Sequence, residues 1–244
     1  MAKHSISYPM KNNQLPSFWV VIPAAGIGSR MRSTTPKQYF TLGNLTVLEH
    51  TLACFLDHPQ LLGIVVCLSK DDQYWSGLSV SKHPLIQVAE GGGERADSVL
   101  SGLMALSEQA KPEDWILVHD AARPNLTRED LDKLLFVASK DTVGGLLATP
   151  ARDTLKQIDS HGRVTKTLDR KVIWQALTPQ MFHFQQLTCA LQHACKMGMI
   201  ITDEASAIEA MGFSPLLVEG RSDNLKITHP EDLQWLVPYF VKIQ

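Results

Sequence analysis

The sequence predicts an α/β fold in which a mostly parallel sheet is covered by helices on both faces and a β-hairpin arm projects from it. Three observations carry this. Short β-branched runs alternate with longer segments whose apolar residues recur every three or four positions. The first run, FWVVI, gives way at once to a glycine-containing loop, PAAGIGSRM, as a strand feeding a ligand loop does. The alternation breaks at one place, residues 152–168, where polar runs flank a turn.

Taken in order, Phe18 to Ile22, Gly63 to Leu68, Leu85 to Ala89, Trp115 to His119 and Val143 to Ala148 read as strands. Between them, Thr46 to Phe55, Glu94 to Ser107 and Thr127 to Ala138 have helical spacing. Thr127, three residues before Asp130, resembles a capping box with a shortened acid and predicts a helix start. The stretch RDTLKQIDSHGRVTKTL then reads as two loosely alternating runs around Ser160, His161 and Gly162, a hairpin with little to bury. Such a hairpin is marginal alone and needs something to pack on, for example a second subunit. Helical spacing returns from Phe184 to Met197 and from Asp203 to Met211, followed by a strand at Leu216 to Glu219 and a short one at Leu225 to Thr228. Pro230 opens a last helix, with Glu231 and Asp232 placed favourably against its dipole. With no repeat, low-complexity segment or linker, the expected organisation is one domain over residues 18–244, an arm at 150–172 and a polar extension at 1–17.

A chain of 244 residues with 44% apolar and 20% charged residues can bury a full core and is globular. Its net charge of -2 supplies no global basic field, which argues against a dedicated nucleic-acid binder; any anion site must be local. The four cysteines, Cys54, Cys67, Cys189 and Cys195, lack C-x-x-C or zinc spacing and read as reduced, mostly buried thiols of a cytosolic protein. Residues 1–17 are too polar for a signal peptide, and the apolar run Ile64 to Leu68 is too short to cross a bilayer, so no membrane role is expected.

In open α/β sheets ligands bind at the carboxyl ends of the strands, so the residues following each strand bear the chemistry. After the first, Gly26 and Gly28 let the backbone approach an anion, and Arg30 and Lys37 would repel one another unless an anion such as a triphosphate lay between them. Met31 breaks the dinucleotide fingerprint and no Walker A sequence follows; the glycines alone read equally well as an ordinary turn. After the third strand, GGGERADSV permits close approach of a flat ligand and offers the Ser98 hydroxyl, or it is a simple strand-to-helix turn. In VHDAARP, Asp120 is placed as a Mg²⁺ ligand would be, with pairing to Arg123 in a turn as the alternative; His119 reads as structural. Thr154 and Arg170 flank the hairpin, Thr202 is an N-cap, and Lys226 lies in the final short strand. No Ser-His-Asp arrangement, zinc site or catalytic acid pair emerges, and the remaining pattern suits phosphoryl or nucleotidyl transfer, where positioning and charge stabilisation do most of the catalysis.

Taken together and in order, PAAGIGSRM with PKQYF, GGGERADSV, VHDAARP, RDTLK, LTPQ, ITDEAS and DNLKIT resemble the bacterial and plastid 2-C-methyl-D-erythritol 4-phosphate cytidylyltransferases, over residues 18–236. The resemblance implies a Rossmann-like nucleotidyltransferase fold and a homodimer in which the arm crosses to the partner. It implies an enzyme of non-mevalonate isoprenoid synthesis that joins CTP and methylerythritol phosphate and releases pyrophosphate, with Mg²⁺ as cofactor and no protein nucleophile. It assigns Arg30 and Lys37 to transition-state stabilisation, Ala24, Ala25, Gly26 and Gly28 to the nucleotide cradle, and Gly92, Gly93 and Ser98 to the cytosine and ribose. Asp120 would be the metal carboxylate, with Asp223 a second candidate, and Asp120 also belongs to the CTP site. Arg170 and Lys226 would position the second substrate, with Thr154, Thr178 and Thr202 nearby. Two departures stand out: Gly93 and Ser29 occupy positions where some relatives carry an acid and a base respectively. The competing readings are a ribitol 5-phosphate cytidylyltransferase, disfavoured by the RDT, LTPQ and TDEAS set, and a non-catalytic nucleotide sensor, which would not need transition-state charge stabilisation.

Overall fold

The structure is a computed structural model, and its described residues are 15–26, 31, 33 and 35–241. The strands are β1 (Phe18–Pro23), β2 (Thr41–Leu42), β3 (Leu45–Thr46), β4 (Leu61–Leu68), β5 (Ile86–Glu90), β6 (Trp115–Val118), β7 (Gly145–Pro150), β8 (Lys156–Ile158), β9 (Val164–Thr167), β10 (Trp174–His183) and β11 (Leu216–Glu219). The helices are α1 (Val47–Leu56), α2 (Arg95–Ala105), α3 (Arg128–Ala138), α4 (Phe184–Lys196), α5 (Glu204–Ala210) and α6 (Pro230–Phe240). Among the described residues, seven strands form one sheet in the order β11-β7-β10-β6-β1-β4-β5. β1 pairs in parallel with β4 and β6, as do β4 with β5 and β11 with β7, and β10 runs antiparallel between β6 and β7.

The alternating faces of these strands build two cores. Val20, Ile22, Ile64, Val66 and Leu117 join Leu48, Leu52 and Phe55 of α1 and Leu131, Leu134 and Leu135 of α3. On the other face Val21, Val65, Cys67, Ile116 and Val118 meet Val99 and Leu103 of α2, Leu187 and Leu191 of α4, and Ile208 of α5. Each such side chain, fully buried, contributes about 1.5–3 kcal/mol. Helix α2 lies so close to the sheet that a Cβ on Gly102 would come within 2.6 Å of Val21 Cγ1 and 2.8 Å of Cys67 Sγ, so only glycine fits there.

The expected strands and helices are present with shifts of a few residues at their ends, and so is the hairpin. β8 and β9 form their own antiparallel pair, every residue of it exposed, with Gly162 at φ 75° in the turn. Five expectations are corrected. Leu225 to Thr228 is not a strand; it is a connection held by single bonds such as Ile227 N–H to Ala122 O (2.9 Å). Strand β10 has no counterpart in the sequence reading, because Pro179 in its middle argues against a central strand. The structure accommodates the proline where the β7–β10 register shifts, between Ala176 and Gln180. The N-cap of α5 is Asp203, whose carboxylate accepts from Ser206 N–H, not Thr202. The cysteines are not mostly buried: Cys67 is buried and Cys54 partly so, whereas Cys189 and Cys195 are exposed. Thr127 does cap α3, but the Asp130 carboxylate turns away to accept from Arg221 N–H at 2.8 Å, so no reciprocal box forms. Among the described residues no helix is long and apolar enough to cross a membrane.

Candidate functional site

After β5 at one edge, the chain crosses β1 to begin β6 on its far side, so the strand order reverses around β1. Connections on either side of such a point diverge and leave a crevice at the carboxyl ends of the strands. Here it is an open cavity of about 380 Å³, walled by the segments that follow β1, β5 and β6 and by Lys37, Lys226 and Thr228.

Asp120, the second residue past β6, forms its charged floor and is 6% exposed. Its Oδ1 accepts from Arg95 Nε (2.9 Å), and its Oδ2 from Lys226 Nζ (2.9 Å) and Arg123 Nε (3.3 Å). Burial opposes the charge, but the three cations, Arg95 foremost, outweigh it and hold the carboxyl well below the usual carboxylate range. Arg95 in turn places Nη1 and Nη2 on the two oxygens of buried Glu204, at 2.6 and 3.0 Å. Arg123 Nη1 donates to Asn224 O at 2.6 Å and ties the segment before Lys226 to the same floor.

Beneath Asp120 runs a directed chain of hydrogen bonds. His119 Nε2 lies 3.0 Å from Arg123 O, which can only accept, so Nε2 carries the hydrogen. Nδ1 therefore accepts from the Thr178 hydroxyl (2.9 Å), whose oxygen accepts from Asp120 N–H (3.1 Å). Burial lowers the His119 pKa to about 4, keeping the ring neutral. Burial also lowers that of His58, whose Nδ1 accepts from Gln60 N–H and whose Nε2 donates to Asp132. An imidazole neutral in the fold binds its proton first when unfolded, near pH 6.5. The stability from these two rings is therefore fully present above that pH and is lost as pH falls, for His119 down to about 4. The urea midpoint is expected to fall between pH 7.5 and 5, with a shallower fall in His58→Gln.

Lys37 begins a 3₁₀ turn, Lys37–Tyr39, that two neighbours pin. Gln38 Nε2 donates to Ala24 O (2.6 Å), and Tyr39 OH donates to Asp72 Oδ2 (2.6 Å). Lys37 Nζ reaches Ile227 O at 2.9 Å, one residue from Lys226, so cations from distant segments converge on one mouth of the cavity. Opposite, Gly92 N–H donates to Ser98 Oγ (3.1 Å), whose hydroxyl donates to Glu94 O (3.1 Å). A Cβ on Gly91 would stand 2.4 Å from Ala25 Cβ; the two loops meet there, and only glycine allows it.

The model of the IspD family, 2-C-methyl-D-erythritol 4-phosphate cytidylyltransferase, matches residues 18–239. The chain belongs to this family. Over 225 residues it is 61% identical to the 2-C-methyl-D-erythritol 4-phosphate cytidylyltransferase of Pseudomonas aeruginosa (strain UCBPP-PA14), covering 92% of this chain and 96% of that protein. It is 59% identical to the one of Pseudomonas fluorescens (strain Pf0-1), with the same coverage. The crystal structure of the Francisella tularensis 2-C-methyl-D-erythritol 4-phosphate cytidylyltransferase superposes with a TM-score of 0.80 at 36% identity, covering 92% of this chain and 100% of that one. That of the Thermus thermophilus protein superposes with 0.73 at 31%, covering 90% and 96%. The resemblance read in the sequence and the fold expected from it are thereby borne out, as is an enzyme of the nucleotidyltransferase class.

Of the positions singled out for cytidylyl transfer, Ala24, Ala25, Gly26, Lys37, Gly92, Gly93, Ser98, Asp120 and Lys226 all line the one cavity. Gly28 and Arg30 lie outside the described residues. Thr178 lies beneath the floor, 4% exposed, with its hydroxyl committed to His119 and Asp120. Thr154, Arg170 and Thr202 are exposed and do not line the cavity; Arg170 Nη1 donates to Arg152 O (2.6 Å) at the base of the hairpin. Asp223 is also outside the cavity lining, its carboxylate held by Arg221. The residues that sequence reasoning missed are Arg95, Glu204, Gln38 and Gln180. Arg95 and Glu204 stand inside quoted motifs, and the available sign was only that each is a charge at the start of a predicted helix.

Asp120 and Glu94 are the carboxylates lining the cavity, and among the described residues no group of three His, Cys, Asp or Glu could hold a metal ion. That donor set fits Mg²⁺, which takes one or two carboxylates and otherwise binds phosphates and water. Lys226, with a side chain 37% exposed, is the cation of the Asp120 cluster freest to move aside.

Proposed function

We propose that the chain transfers the cytidylyl group of CTP to 2-C-methyl-D-erythritol 4-phosphate, giving 4-diphosphocytidyl-2-C-methyl-D-erythritol and pyrophosphate in non-mevalonate isoprenoid synthesis. A phosphate oxygen of the second substrate attacks the α-phosphorus of CTP, a P–O bond forms, and the bond to the β-phosphate breaks as pyrophosphate leaves. The observation that carries the reading is the convergence of Lys37 and Lys226 on one cavity beside Arg95, in a chain of this family. Lysine and arginine fixed around a cavity offset the charge that builds on the non-bridging oxygens of the α-phosphorus and on the leaving pyrophosphate. Gly92 and Gly93 in the cavity wall leave a surface against which a flat base can lie. Asp120 would hold Mg²⁺ together with the phosphates; when bound, the ion neutralises charge on the triphosphate. Arg170, Thr154 and Thr202 are assigned to the second substrate and Asp223 to a secondary metal role on the strength of the family resemblance. Exposed, unpaired Cys189 and Cys195 suit a reducing compartment, and we place the protein in the cytosol.

Pyrophosphate release with CTP and Mg²⁺ tests the reading, run in parallel with methylerythritol phosphate and ribitol 5-phosphate. Turnover with the first and little with the second is expected; a preference for ribitol 5-phosphate would overturn the substrate assignment. The hairpin, solvent-exposed on every strand residue and carrying Ile158, Val164 and nearby Val172 at 59%, 61% and 75% exposure, is proposed to complete a homodimer. Deleting residues 152–168 is expected to lower activity and dimer content together, read by assay and light scattering. A fully active monomer would sink that part.

A further inference from the structure

Glu204 is the first residue of α5 and 1% exposed, and it does not line the cavity; yet both its oxygens are bound by the guanidinium of Arg95, 109 positions earlier in the chain. Stability is a poor reason for such a pair: two charges are costly to desolvate, and replacing a buried ion pair with apolar groups is often neutral or stabilising. What the pair does accomplish is orientation. Three guanidinium donors are committed, two to Glu204 and one to Asp120 Oδ1, so Arg95 can neither rotate nor offer Asp120 a two-pronged grip. Asp120 Oδ2 is thereby left to Lys226 and Arg123.

We propose that Glu204 is a positioning residue: by clamping Arg95 against a single oxygen of Asp120 it reserves the other for Lys226 and so sets where that lysine stands at the cavity. Without the clamp Arg95 would turn its fork onto both Asp120 oxygens, the better geometry for an arginine and a carboxylate, and displace Lys226. The start of α5 does not depend on Glu204 alone. Gln180 of β10 accepts from Ala205 N–H (2.8 Å) and donates to Asp203 Oδ2 (2.8 Å), so neutralising Glu204 changes the electrostatics while the helix stays anchored. The inference rests on the cytidylyl-transfer reading for its kinetic consequence, but the clamp itself can be observed without turnover.

The test uses Glu204→Gln, Glu204→Asp, Arg95→Gln and the double variant Arg95→Gln/Glu204→Gln. Glu204→Gln is expected to lower kcat about 10- to 100-fold while the KM for CTP stays within about threefold, the split expected for an interaction that matters in the transition state. Glu204→Asp, which keeps the charge but is one methylene short, is expected to recover part of the loss. If Glu204 acts through Arg95, the double variant is no slower than Arg95→Gln alone; multiplying losses would overturn the proposal. So would a Glu204→Gln enzyme within threefold of the parent in kcat. Independently of activity, the ¹⁵Nε–¹H resonance of Arg95, assigned by its disappearance in Arg95→Gln, is expected to be sharp in the parent and to shift and broaden in Glu204→Gln. An unchanged resonance would refute the clamp. Should Glu204→Gln fail to fold, the double variant, with the pair neutralised on both sides, and Glu204→Asp carry the same comparisons. A parent inactive with methylerythritol phosphate but showing the resonance change would refute the substrate reading and leave the clamp standing.

Discussion

Replacing Lys37 with alanine is expected to lower kcat by about 10² to 10³, the loss seen when one donor to a developing oxyanion is removed, with the KM for CTP changed only a few-fold. The reason lies in how the side chain is held. Its 3₁₀ turn is locked by Gln38 to Ala24 O and by Tyr39 to Asp72, and its ammonium group already has a partner in Ile227 O. A cation held in place by the protein needs no reorganisation when charge builds at the α-phosphorus, so its contribution falls mainly on the transition state and little on ground-state binding. Steady-state pyrophosphate release at saturating CTP checks this. Turnover within threefold of the parent would show that Lys37 is not the stabilising group.

Asp120→Asn is expected to damage stability and activity together. The substitution keeps the shape of the side chain but removes the carboxylate with which Lys226 pairs and leaves Arg123, 8% exposed, facing an amide instead of a carboxylate. Breaking a buried pair on one side costs about 3–5 kcal/mol, because the remaining charge stays desolvated. For a chain of this size each kcal/mol is worth about 2–4 °C, so a Tm roughly 10 °C lower is expected by calorimetry. Half-maximal activity is expected to require several-fold more Mg²⁺. A variant with the parent's Tm would mean that the three cations find other partners, and the charge balance drawn around Asp120 would be wrong.

Much of this was legible from residues alone where the relevant physics is local. Short, apolar runs such as IVVCL and WILV read as buried strands, the spacing in α2 and α3 reads as one buried face, and a polar hairpin with nothing to bury reads as an exposed arm. The same holds for the ligand loops, since glycines and cations after a strand constrain what can bind there. Strand β10 was not legible, because the proline in its middle contradicts the local rule and is tolerated only where the neighbouring register shifts. Nor could local spacing show that Leu225 to Thr228 lacks a strand partner, or that Asp203 caps α5 in place of Thr202.

By itself the sequence determined the layered α/β architecture, the family, and the loops that form the cavity wall, because hydrophobic period and turn chemistry act over a few residues. Only the tertiary structure decided the charge pattern of the site. Asp120 proved to be the partner of Arg123, and also of Arg95 and Lys226, while Arg95 was claimed at its other end by Glu204. Those partners lie 3 to 109 positions apart in the chain. Buried charges choose their partners by proximity in space and by the cost of remaining unpaired, and neither quantity exists until the sheet has brought the strand ends together.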